Sequence, residues 1–375
     1  MAAEPVQLND FTRQWAETGS DVLAAVGEVG SSGWFVLGPQ VAAFERMLAR
    51  VLERAYAIGC GNGMDAIEIG LRALDLKPGQ PVLTSPLSAF ATTLAIVRAG
   101  GVPVFVDVDR HGLLDLDLAE EAFERDAALR FMVPVHLFGH AVDLERLLEL
   151  RRKFGISIVE DMAQAIGARS GARPVGGCGQ LGALSLYPTK NLGAMGDGGA
   201  VVTDDPALDR RCRVLRDYGQ GAKYEHVELG LNSRLDELHA AILAKAFLPR
   251  LAAWNARRAE IAARYDAGIC NPGVELLGSP GGSRSVWHLY PVLVPAQRRD
   301  HLLEFLRKER ILAAVHYPRA IPDQAAMHGT PFTLLTPMPR ARELVSREVS
   351  LPIHPYLTDR EVDRVIQGIN AWVTE

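Results

Sequence analysis

The sequence is poor in cysteine and poorer in lysine. Four cysteines (Cys60, Cys178, Cys212 and Cys270) stand far apart in 375 residues, with no C-x-x-C pair and no zinc-type spacing. That excludes a disulfide framework and points to a reducing, cytoplasmic setting. His136 and His140 lie four apart in "VHLFGH", but the strand-like run before them and Gly139 between them argue against a helical ligand pair, so no metal is expected. No run approaches ~20 apolar residues, and "MAAEPVQLNDF" lacks a basic start and apolar stretch, so neither membrane span nor signal peptide is expected. A surplus of positive charge is missing too: the net charge of −5 argues against nucleic acid as a partner. The densest basic stretch, "DRRCRVLRDYG" (209–219), reads as a solvated helix face. Repeats and low-complexity tracts are absent.

What is present is apolar patterning on a chain long enough for a large core, 48% hydrophobic. From about residue 40 to 217, short β-branched runs alternate with amphipathic ones, which predicts an α/β fold with a mostly parallel sheet under helices. Seven strands are expected, at 55–59, 81–85, 103–108, 131–136, 156–160, 183–187 and 200–204, with helices at 64–74, 89–100, 116–126 and 143–155 between the first five. The glycine-rich link "PTKNLGAMGDGG" predicts an antiparallel last pair. A long helical stretch, 234–268, holds Pro249 where a kink or break is expected. Beyond it, shorter strands alternate with helices, as in a smaller α+β domain.

Three features fall where such a sheet places ligands, at the carboxyl ends of strands. "AYAIGCGNGMDAI" runs from a strand through Gly59, Gly61 and Gly63 into a helix whose opening amides, near Met64 and Asp65, suit a phosphate; a plain tight turn is the alternative. "ISIVEDMAQAIGA" runs a strand into Glu160 and Asp161, which either cap the next turn or pair with a cofactor's pyridinium nitrogen. "ALSLYPTKN" places Ser185 in an apolar strand and Lys190 five residues on. Only six of the 40 basic residues are lysines. A sheltered lysine can act as an amine nucleophile, which arginine cannot. Phosphate cradle, ring acid and sparse lysine are together the parts that pyridoxal phosphate needs.

These segments resemble the DegT/DnrJ/StrS sugar aminotransferases, of the aspartate aminotransferase-like (type I) fold of pyridoxal phosphate enzymes. The resemblance runs from about residue 34 to 370 through "GNGMDAI", "PVFVDVD", "PVHLFGH", "VEDMAQAIGA", "SLYPTKNLGAMGDGGAVVT", "LRDYGQGAKYEH", "LNSRLDELHAAIL", "VHYP" and "SLPIHP". It implies a large cofactor-binding domain over 1–248, with the seven-stranded sheet, and a small C-terminal α+β domain over 249–375. It also implies that Lys190 forms the Schiff base and moves the proton, that Asp161 pairs with the pyridine nitrogen, and that Gln164 lies at the ring hydroxyl side. Ser185 with the amides of Gly63 and Met64 would hold the phosphate. Asn232 would reach the phosphate of a partner subunit's cofactor, which implies a homodimer with shared sites. Phe90 stands beside Ala89, the position where an aromatic residue often stacks on the ring. Met64 replaces a frequent Thr or Ser, Ile166 a frequent His, and "RAIPDQ" (319–324) the usual stretch after "HYP".

The implied function is transfer of an amino group, with glutamate the expected donor, to a keto group of a dTDP- or UDP-linked deoxysugar, giving an amino sugar. Lys223, Tyr224, Arg234 and Tyr317 are candidates for binding that substrate. A sugar dehydratase is the first alternative, disfavoured because its known members lack the lysine. A cofactor-bearing regulatory protein without turnover is the second.

Overall fold

The computed structural model describes residues 4–373. Its central sheet is built from β1 (Tyr56–Cys60), β2 (Pro81–Thr84), β3 (Val102–Phe105), β4 (Phe131–Val133), β5 (Ser157–Asp161), β6 (Leu181–Ser185), β7 (Gly199–Thr203) and β8 (Thr333–Leu334). The order across the sheet is β1-β7-β6-β5-β4-β2-β3-β8. Only β7 runs against its neighbours, pairing antiparallel with β1 and β6. All seven expected strands form, and the last pair is antiparallel as its glycine-rich link predicts. The sheet nevertheless has eight strands, not seven. Two residues of the C-terminal part, Thr333 and Leu334, add in parallel to Val104 and Phe105 and cover the edge of β3. A two-residue strand is too short to leave a period in the sequence.

The helices of this part are α1 (Phe11–Ser32), α2 (Pro39–Val51), α3 (Gly63–Ala73), α4 (Phe90–Arg98), α5 (Leu116–Arg125), α6 (Leu144–Phe154) and α7 (Pro206–Arg216). Aspartates open the last three: the side chains of Asp115, Asp143 and Asp205 each accept two of the amides that no helical carbonyl can satisfy. The basic run in α7 is not the solvated face its composition suggests. Arg216 is buried, and both it and Arg213 donate to the buried Glu45 of α2, so the positive charge ties two helices together.

The stretch from 237 to 268 breaks near its proline. α8 (Glu237–Ile242) passes through a π turn at Leu243–Phe247 and a 3₁₀ turn at Leu248–Arg250 before α9 (Leu251–Gly268) begins. Pro249 has no N–H to donate, so the helix ladder is re-registered there. Beyond it, α10 (Arg299–Lys308), α11 (Pro339–Arg347) and α12 (Asp359–Ala371) accompany a three-stranded antiparallel sheet of Glu275–Leu276, Tyr290–Leu293 and Glu348–Leu351. Tyr265, Tyr290, Val292, Leu302, Leu306, Val349, Val362 and Val365 form its core. Val6 joins that core by bridging to Ile311, so the N-terminal segment straps the C-terminal part.

Candidate active site

The site forms where β5 and β6 end side by side, with Asp161 paired to Ala183. Successive side chains on a strand face opposite ways, so Glu160 and Asp161 meet different surroundings. Glu160 is fully buried and accepts from His136 Nε2 (3.0 Å) and from the amides of Gly176, Cys178 and Gly179 (2.9, 2.7 and 2.6 Å). Burial pushes its carboxyl up, but His136 and these amides outweigh that and hold it below the usual range. Glu160 is therefore a fastener for the 176–179 loop. Asp161 lies on the other side, with Oδ2 accepting from Thr92 Oγ1 (2.8 Å) and Oδ1 from the Ala163 amide (3.1 Å). Burial raises its pKa, against those two donors and the charge of Lys190.

Lys190 follows β6 in a turn where its amide donates to the Tyr187 carbonyl (2.8 Å). Burial lowers its pKa to about 8, and the Asp161 charge works the other way. In both groups desolvation exceeds their mutual attraction, which brings the amine toward its nucleophilic form near neutral pH. The turn is held by Asn191, whose Nδ2 donates to Asn255 Oδ1 (2.8 Å) and the Val286 carbonyl (2.9 Å). It also requires Gly193, where a Cβ would lie 2.2 Å from the Pro188 carbonyl oxygen. Gln164 accepts from the Phe138 amide (2.8 Å) and donates to Tyr317 Oη (3.0 Å). Phe138 holds a left-handed φ of 60° to make that contact.

Asn62 opens α3 by accepting from the Asp65 amide at 2.8 Å. Gly63 follows, and a Cβ there would fall 2.6 Å from Ser185 Cβ, so the first turn of α3 seats directly on the end of β6. The Ser185 hydroxyl beside this turn accepts from the Tyr187 amide (3.3 Å). Gly59 and Gly61 instead face Leu235 and the Ser233 hydroxyl, so protein neighbours use their space. Phe90 is half-buried and begins α4, two residues before Thr92.

Lys190, Asp161, Gln164, Tyr317, Ser185, Gly63 and Met64 thus belong to one end of the sheet. Among the described residues, no hydrogen bond or ion pair joins the side chains of Lys223, Tyr224, Asn232 or Arg234 to them. Lys223 and Tyr224 stand on an exposed hairpin, with Lys223 Nζ 5.3 Å from the Tyr224 ring, and Tyr224 is 80% exposed. Arg234 turns to Asp217 Oδ1 (2.9 Å) and the Tyr218 ring, while exposed Asn232 bridges Asp217. Thr92 and Asn191 were not among the sequence candidates. The polar pair in "FATTLAIVR" is the one trace of the first, and nothing local marks the second. Among the described residues no group of His, Cys, Asp and Glu is arranged to hold a metal ion, and no helix is long and apolar enough to cross a membrane.

Comparison with known proteins places the sequence and the fold. Residues 17–370 match the DegT/DnrJ/EryC1/StrS aminotransferase family. A dTDP-3-amino-3,4,6-trideoxy-alpha-D-glucose transaminase of Streptomyces venezuelae is 39% identical over 97% of this chain and 95% of its own length. The crystal structure of S. venezuelae DesV in complex with a ketimine intermediate superposes with a TM-score of 0.94 at 38% identity, covering 100% of both chains. That of NtdA from Bacillus subtilis, with bound cofactor PMP, gives a TM-score of 0.89 at 29% identity over 98% of this chain and 85% of that one. By fold, order of motifs and extent of the match, the chain belongs to the DegT/DnrJ/EryC1/StrS aminotransferase family.

Proposed function

We propose that the protein is a pyridoxal phosphate-dependent aminotransferase that moves an amino group, with glutamate as donor, to a keto group of a dTDP- or UDP-linked deoxysugar. The observation that carries this is the half-buried Lys190, its amine brought to about 8 by desolvation in the turn after β6, with its charge acting on the buried Asp161 at the end of the adjacent strand β5. The residues fit the cofactor: Asp161 has two protein donors on its four lone-pair sites, which leaves capacity for a ring N–H. The glycine-lined start of α3 beside Ser185 suits a phosphate. Bound there, the cofactor supplies an electron sink for the carbon that loses its proton.

In this reading Lys190 would hold the cofactor and carry the transferred proton, and Asp161 would keep the ring nitrogen protonated. Gln164 would serve the ring hydroxyl and Phe90 the ring, while Ser185 and the amides of Gly63 and Met64 would hold the phosphate. Asn232 would complete the phosphate site of a partner subunit, and the exposed Lys223 and Tyr224, with the half-buried Arg234 and Tyr317, would take the sugar nucleotide across the dimer. The homodimer is supported by exposed apolar side chains along and just after α1: Phe11, Trp15, Leu23, Val26, Trp34 and Phe35 are each at least 40% exposed. A division at 248/249 into a large and a small domain is supported by the helix break and the separate apolar core beyond it. A cytoplasmic location is supported by the scattered free cysteines. Glutamate added to the cofactor-loaded enzyme should bleach its visible absorbance and release 2-oxoglutarate. Product formation should then require a keto-sugar nucleotide. A spectrum unmoved by glutamate would favour the regulatory alternative, and loss of a sugar hydroxyl without amination the dehydratase.

A further inference from the structure

A buried carboxylate in the small sheet has a hydrogen-bonded route to a cavity lined by Thr189, the residue before Lys190. Glu348, 2% exposed, begins the strand Glu348–Leu351. Its Oε2 accepts from the His316 amide (2.6 Å), and its Oε1 is bonded to the hydroxyl of Ser350. Ser350 is fully buried and its oxygen also lies 3.0 Å from His316 Nδ1. His316 in turn lines a cavity of ≈ 120 Å³ with Thr189, His288, Leu8 and Asn9. Its ring stands edge-on to Tyr317 at 5.6 Å, and Tyr317 reaches Gln164. With Nδ1 taken by Ser350, Nε2 is the nitrogen left for the cavity.

We propose that Glu348 and Ser350 are positioning residues that act through His316, forming a relay that decides which imidazole nitrogen carries the proton and so whether His316 meets the cavity at Thr189 as donor or acceptor. The proton count follows from the bonds. When Glu348 is ionised, the Ser350 O–H must donate to it, the Ser350 oxygen accepts from Nδ1–H, and Nε2 presents a lone pair. When Glu348 is protonated on Oε1, it donates to Ser350, the Ser350 O–H donates to Nδ1, and Nε2 carries the hydrogen. Ionisation thus releases one proton to solvent and moves the ring hydrogen from Nε2 to Nδ1.

The electrostatics place this change in a useful range. Burial raises Glu348 to about 8, against its bonds from Ser350 and the His316 amide and the charge of Arg299 on α10. Burial and the Lys190 charge lower His316 to about 4, so the ring stays neutral and only its tautomer changes. The other titratable groups facing the relay are His288, which burial keeps neutral, and Tyr317, which burial keeps protonated. The relay rests on the aminotransferase reading for its purpose: Lys190 follows Thr189 of the cavity lining and its charge acts on His316, so an acceptor Nε2 favours the ammonium and a donor favours the free amine.

The test is ¹⁵N NMR of the holoenzyme carrying imidazole-labelled histidine, with His316 assigned through His316→Gln. In the wild type, His316 Nε2 should pass from protonated to unprotonated with a midpoint near 8. Glu348→Gln, which cannot ionise, and Ser350→Ala, which cuts the relay but keeps the carboxylate, should each abolish the transition. The first should also remove an inflection near 8 from the pH profile of the glutamate half-reaction. A transition that persists in both variants, or is missing from the wild type, overturns the relay. If one variant fails to fold, as judged by its melting temperature, the other decides. A normal transition in a protein that never reacts with glutamate would leave the relay intact and remove the function proposed for the site.

Discussion

At the scale of single residues, the site is governed by desolvation. Lys190→Ala should lose the cofactor's visible absorbance and all turnover while melting at the wild-type temperature. Because burial places the Lys190 amine at about 8, the rate at which apoenzyme takes up the cofactor should climb as pH rises toward that value and level off above it. Asp161→Asn removes a negative charge that favours the ammonium, so the same uptake curve should move to lower pH. Thr92→Val takes away one of the two donors that hold Asp161. A hydrogen bond to a charged group contributes about 1.5–3 kcal/mol, so the half-reaction rate should fall by roughly one order of magnitude or more with the fold unchanged. The sequence singles out Lys190 by the rarity of lysine. It cannot choose between Glu160 and Asp161, because strand alternation makes them face opposite ways without saying which side holds the ligand.

At the scale of elements, the ends of helices position the chemistry. The α3 terminus reaches β6 only because position 63 lacks a Cβ, so Gly63→Ala must push α3 and Ser185 apart. Cofactor affinity, read by equilibrium dialysis, should drop at least tenfold in that variant. α12 opens with a capping box between Thr358 and Glu361, and Arg13 of α1 adds two bonds of 2.7 Å to the same Glu361 carboxylate. Losing the cap and these charge-assisted bonds in Glu361→Ala should destabilise the protein by about 2–3 kcal/mol in urea unfolding at neutral pH. Burial pushes the Glu361 carboxyl up, but the Arg13 and Thr358 bonds win and bring it to about 2. A folded value below the unfolded one means that its stabilisation is complete above the ordinary carboxylate range and disappears as pH falls toward 2. The difference between wild type and variant should therefore shrink on acidification. The capping box spans three residues, whereas Arg13 lies 348 positions away from its partner.

At the scale of the whole molecule, the proposed site residues fall into two groups. Lys190 and Asp161 lie at the sheet end, while Lys223, Tyr224, Asn232 and Arg234 lie on an outward-facing segment. Shared sites predict that Lys190→Ala and Asn232→Ala proteins, each inactive alone, regain activity when unfolded and refolded together. Every mixed dimer then holds one site with both residues intact, giving about a quarter of wild-type activity from statistical assembly. No recovery on mixing would show that each chain works alone.

The sequence by itself determined the seven long strands, the helices between them, the break at Pro249 and the sparse lysine, because each rests on local periodicity, backbone chemistry or residue type. Only the tertiary structure decided that Thr333–Leu334 closes the sheet edge, that Glu160 fastens a loop while Asp161 faces Lys190, that α7 arginines turn inward to Glu45, and that Glu348 reaches His316. Each of those depends on burial and on partners distant along the chain. Desolvation and hydrogen-bond pairing arise from three-dimensional neighbours, and no window of sequence contains them.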